Sequence, residues 1–97
     1  MKKLFLLLLC SLLCSCLEDP KTGVPKLVKQ LKSSDSHERS RAAQKLAAYK
    51  KDAADAVPAL VKCLNTDDND GVKSMVAYAL RLIDTPEGNK ALDNYKK

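Results

Sequence analysis

Residues 24–35 read VPKLVKQLKSSD and residues 57–68 read VPALVKCLNTDD, so 7 of 12 positions are identical at a shift of 33. After one extra residue the shift becomes 34, and Arg39 meets Lys73, Ala43 meets Ala77 and Leu46 meets Leu80. A period of this size is the signature of stacked repeats, in which each unit buries its apolar face against the next. Within each copy the apolar residues recur at helical spacing. Val24, Leu27, Val28 and Leu31 stand at i, i+3, i+4 and i+7, as do Val57, Leu60, Val61 and Leu64.

Thr22 and Asp55 precede these runs as matched N-cap candidates, which puts Pro25 and Pro58 in the first turn, where a missing N–H has no intrahelical partner to lose. A second helix is expected from near Ser36, with Ala42, Ala43, Leu46, Ala47 and Tyr49 inward. Its counterpart from near Asp70 turns Val72, Met75, Val76, Ala79, Leu80 and Ile83 to the core. Thr85-Pro86-Glu87 announces a last helix by a cap, a proline at the first helical position and an acid in the first turn, with Ala91, Leu92 and Tyr95 inward. No stretch alternates with period two, and Gly23, Gly71 and Gly88 all fall at inferred helix starts. The expected fold is all-α: two antiparallel helix hairpins, about 24–51 and 55–84, and a capping helix at about 86–96, forming an α-α superhelix.

The twice-used Val-Pro-x-Leu-Val opening, the turn aspartates Asp35 and Asp68, the basic Arg39 and Lys73, and Val72-Lys73 followed by Val76-Ala77-x-Ala79-Leu80 resemble the short HEAT-like repeats of phycobilisome-lyase-like proteins. The resemblance covers residue 24 to about residue 84 and implies that the turn aspartate and the basic residue tie adjacent repeats together. Glu38 departs from it, because an aliphatic residue is usual there.

Upstream, residues 1–16 read MKKLFLLLLCSLLCSC. Two lysines precede an apolar run from Leu4 to Leu13 that, as a helix, reaches roughly 15 Å, half of a bilayer core. That layout suits a cleaved export signal over residues 1–15. Leu13-Cys14-Ser15-Cys16 resembles the lipobox of bacterial lipoproteins, with Cys14 at −2 as its departure. Cys10 and Cys14 are each preceded by a bulky Leu and fit the register poorly. The resemblance implies a diacylglyceryl group on the Cys16 thiol, cleavage after Ser15 and a mature chain held on a membrane of the bacterial cell envelope. Residues 16–23 would be its tether, and Leu17 leans toward the outer membrane, with the domain facing periplasm or exterior. The competing reading is an ordinary export signal that happens to end in cysteine. On the lipobox reading Cys10 and Cys14 leave with the signal and Cys16 is acylated, so Cys63 stands alone, with no disulfide partner, as a buried thiol.

The 97 residues carry a formal net charge of +5. They leave room for one small domain and exclude a multidomain enzyme. From Lys21 to Lys51 there are nine basic and two acidic residues, whereas Asp52 to Lys97 has six and eight. A solvated helix face, attraction to anionic lipid headgroups and an acidic protein partner compete as accounts of the basic half. Nucleic acid is disfavoured, since no aromatic residue interleaves the basic ones.

Thr66 to Gly71 imitates a calcium loop, but with Gly71 at position six, Thr66 falls at position one and Ala77 at position twelve, where acids are required. His37 is the sole histidine, and there is no phosphate loop, HExxH or GxSxG. No cofactor, metal, small-molecule substrate or catalytic residue is indicated.

The expected function is a non-catalytic, lipid-anchored interaction module. It would offer Arg41, Gln44, Lys45 and Tyr78 to another envelope protein or to a second copy of the chain. An accessory or lyase-like enzyme subunit and a purely structural envelope lipoprotein are the alternatives. Met75, Tyr78 and Leu82 broaden the apolar arc of their helix, with the last helix as the expected cover and an exposed contact surface as the other reading.

Overall fold

A computed structural model describes residues 18–95. Residues 1–17, which hold the expected export signal and Cys16, lie outside the described residues, as do Lys96 and Lys97. Five α-helices make up the described chain: α1 Pro20–Gln30, α2 Ser36–Tyr49, α3 Val57–Thr66, α4 Asp70–Ile83 and α5 Pro86–Tyr95. A 3-10 segment, Lys50–Ala56, joins the two hairpins. None of these helices is long and apolar enough to cross a membrane.

The hairpins form because each apolar run ends at a residue able to start the next helix. Asp35 caps α2 by accepting the His37 N–H at 2.9 Å, and Asn69 caps α4 by accepting the Val72 N–H at 3.0 Å. Thr85 does the same for α5, its Oγ1 accepting the Gly88 N–H at 3.1 Å. Both second helices stop on a non-glycine residue with positive φ, Lys50 (54°) and Asp84 (55°). These two positions are related by the repeat shift.

Two expected caps are corrected. The first helix reaches back to Pro20, and Asp19, not Thr22, caps it by accepting the Lys21 N–H at 3.0 Å. Residues 20–23 therefore belong to the helix rather than to the expected tether, and Pro25 lies inside the helix, beyond its first turn. Asp55 caps nothing: it sits within the 3-10 segment, which runs straight into α3 with its backbone already helical.

The core is continuous through both hairpins. Leu46, Leu60, Leu80 and Ile83 are fully enclosed, and Ala42, Ala43, Ala47, Ala77 and Ala79 are buried on α2 and α4, which pack against each other. Such small side chains let two helix axes approach to the lower end of the usual 8–10 Å range. Helices α1 and α3 form one layer and α2 and α4 the other. The neighbouring helices α2 and α4 run in the same direction, because Arg39 near the start of α2 reaches the turn before α4, while Leu82 at the end of α4 lies beside Tyr49 and Lys50. Helix α5 packs against α3 and α4 through Gly88, Ala91 and Leu92.

Candidate interaction surface

The most buried ion pair among the described residues joins the two repeats. Arg39 Nε donates to Asp67 Oδ2 at 2.8 Å, its Nη2 donates to Asp67 Oδ1 at 3.2 Å, and its Nη1 donates to the Ser33 carbonyl at 2.8 Å. Asp67 is the buried charged residue of the described chain, and Oδ1 also accepts the Asn69 N–H at 2.9 Å. Burial pushes the Asp67 carboxyl up. The Arg39 hydrogen bond, the Asn69 N–H and the charges of Arg39 and Lys73 outweigh it and hold the group below the usual carboxylate range.

The expected partner for this role was Asp68, which is exposed; the residue that carries it is its neighbour Asp67. Hydrogen bonding explains the difference. Ser33 Oγ accepts the Asp35 N–H at 3.1 Å just as Asp67 Oδ1 accepts the Asn69 N–H, so Ser33 and Asp67 are the matched turn residues, 34 apart. The extra residue of the second repeat thus lies before the turn, in the longer end of α3. Glu38, the departure in the first repeat, has a local use: its carboxylate accepts the Ser33 hydroxyl at 2.7 Å.

Between the α1–α2 turn and α3 lies a cleft of about 430 Å³, whose lining includes Lys32, Arg39, Lys62, Cys63, Asp67 and Asp68. Its two strongest charges, Arg39 and Asp67, neutralise each other. Cys63 is half-buried there, its Sγ 3.9 Å from the Leu31 carbonyl, rather than enclosed as expected. Burial, with Asp67 adding to it, pushes the thiol above its ordinary range and disfavours the nucleophilic thiolate.

The anticipated partner residues lie on the other layer. Arg41, Gln44 and Lys45 are exposed on α2, and Tyr78 is 47% exposed on α4. Gln44 and Tyr78 hold equivalent positions in successive repeats, so the two helices present them side by side. Leu82, one turn beyond Tyr78, is also exposed at 37%. The last helix does not cover this arc. It spends its apolar face, Ala91 and Leu92, on α3 and α4, and Tyr95, expected inward, is exposed. Met75 packs partly against the core. The apolar side of the surface therefore stays open, flanked by the cationic residues of α2.

Comparison with known proteins gives this paired-helix stack, with its inter-repeat arginine–aspartate link, a family. The HEAT repeat model matches residues 24–94. This chain belongs to the HEAT-repeat family. No curated protein and no solved structure matches it. HEAT repeats commonly mediate protein–protein contacts, which makes protein the general class of partner.

Proposed function

We propose that this HEAT-repeat protein is a lipid-anchored, non-catalytic interaction module of the bacterial envelope. The carrying observation is the open layer of α2 and α4, where Tyr78 and Leu82 stand uncovered beside Arg41, Gln44 and Lys45. An aromatic ring with a polar tip, bordered by guanidinium and amide donors, is the composition that dominates binding energy at protein interfaces. The lipobox-like Leu13-Cys14-Ser15-Cys16 supports the anchor, and the repeated Val-Pro-x-Leu-Val opening supports the short phycobilisome-lyase-like type of repeat. Two or more acyl chains give durable attachment where one gives only marginal binding. Confinement to a surface raises the effective concentration of nearby envelope proteins, so modest affinity suffices.

Cys16→Ser, fractionated beside the wild type, tests the anchor. The variant is expected to leave the membrane fraction and to lose incorporated fatty acid; equal retention of both proteins with an uncleaved leader overturns it. Site-specific photocrosslinking from position 78 tests the surface. A discrete adduct that disappears in Arg41→Glu/Lys45→Glu supports it, and an adduct pattern unchanged by that variant overturns it.

A further inference from the structure

The two helices of the opposite layer carry no acidic residue at all. Helix α1 reads PKTGVPKLVKQ and α3 reads VPALVKCLNT. Their charged side chains are Lys21, Lys26, Lys29 and Lys62, with Lys32 just past the end of α1, and all five are exposed. On α1 the lysines fall on the side opposite Val24, Leu27 and Leu31, which face the core. Nearby acids are partly occupied: Glu18 pairs with Lys26 at 3.1 Å, Asp19 caps the helix and Asp67 is held by Arg39, while Asp52 and Asp55 border the groove beside Lys21 and the exposed Asp68 borders the cleft with Lys32 and Lys62. Three residues separate Cys16 from Pro20, so four chain steps give a reach of at most about 14 Å. Helix α1, 11 residues long, extends only about 16 Å further.

We propose that the lysine-bearing face of α1 and α3 lies on the anionic phospholipid headgroups of the membrane that holds the anchor. This rests on the anchored reading of Cys16 given above. A tether this short keeps the first turn of α1 within one or two screening lengths of the surface, where the Debye length is about 8 Å at physiological ionic strength. Each lysine brought to an anionic surface favours the docked orientation by about fivefold. Docking through α1 and α3 leaves the α2–α4 layer pointing away from the bilayer, free to meet a protein.

The test uses the whole chain as purified from cells, mixed from detergent into vesicles of phosphatidylcholine alone or of phosphatidylcholine with one quarter phosphatidylglycerol. Flotation reports attachment, and the rate of labelling by a water-soluble amine reagent, read by mass spectrometry, reports orientation. The expected result is flotation with both vesicles and labelling of Lys26, Lys29 and Lys32 slowed threefold or more by phosphatidylglycerol. Lys45 on α2 keeps its rate, and 0.5 M salt restores the others. Equal lysine rates in the two vesicles overturn the proposal even though flotation upholds the anchor. Flotation with phosphatidylglycerol vesicles alone upholds the basic face and overturns the anchor, and flotation with neither overturns both. Protection seen in intact cells but in neither vesicle assigns the face to an acidic protein and also overturns the lipid assignment. Lys26→Gln/Lys29→Gln/Lys32→Gln changes only exposed side chains; flotation with phosphatidylcholine is expected to persist, while salt-sensitive protection of Lys21 and Lys62 falls at least threefold.

Discussion

Two residues hold more of the structure than their size suggests. Asp67 ties the turn of the second repeat to Arg39 of the first, and its depressed pKa fixes the sign of its pH dependence. Its stabilising contribution is complete above the unfolded carboxylate value, about pH 3.9, and is lost as pH falls through the lower folded value. Asp67→Asn is expected to cost about 1.5–3 kcal/mol at pH 7, the range of a hydrogen bond to a charged partner. Urea midpoints measured from pH 7 down to pH 2.5 check this: the variant should fall less steeply below pH 4, and parallel curves would remove the role. Gly23 is needed for space. A Cβ there would collide with the Tyr49 hydroxyl and come within 3.0 Å of its Cζ. Gly23→Ala should lose about 1–3 kcal/mol through overpacking. The same change in a Tyr49→Ala background should be close to neutral, and a double-mutant cycle by chemical denaturation reads the coupling.

At the scale of the element, the two second helices end in a conformation that suits glycine better than the residues present. Lys50 combines φ 54° with ψ −129°, a region that strains any side chain. Lys50→Gly is expected to raise stability by about 1 kcal/mol after the added flexibility of the unfolded chain is subtracted, with Lys50→Ala near zero. Thermal melts of the two variants separate the outcomes. The helices themselves were legible from sequence because their apolar residues recur at helical spacing in two copies, and the starts at Ser36, Asp70 and Pro86 matched clear capping residues. The start of α1 was obscured by Pro25, which suits a first turn so well that Asp19-Pro20 went unread. The Asp67–Asp68 ambiguity has a similar cause. Identity favoured Asp68, whereas the turn hydrogen bonds that choose Asp67 leave no mark on a residue-by-residue match. The outward Tyr95 was misread because helical spacing marks a face, and a helix at the end of a stack has fewer faces to cover.

For the whole molecule, two hairpins make a small stack, and α5 supplies the cover that its end requires. Gly88 lets α5 approach Leu80, where a Cβ would stand 3.3 Å from Cδ2, and Leu92 is buried. Deleting residues 86–97 should cost about 3 kcal/mol, enough to lower the Tm by more than about 10 °C in a domain of this size. Calorimetry against the full chain checks it, and an unchanged Tm would mean that the two hairpins suffice. That Arg41, Gln44, Lys45 and Tyr78 face solvent could be anticipated from their helix faces, whereas the acid-free character of the opposite layer required knowing that the end of α1 lies beside α3.

The Tyr49 hydroxyl donates to the Glu18 carbonyl at 2.6 Å, across 31 residues of chain. A pulling force that enters at residue 18 is therefore handed sideways to the end of α2 before it can peel α1 from its seat. The domain is clasped at its leading edge, and traction there meets α2 as well as α1.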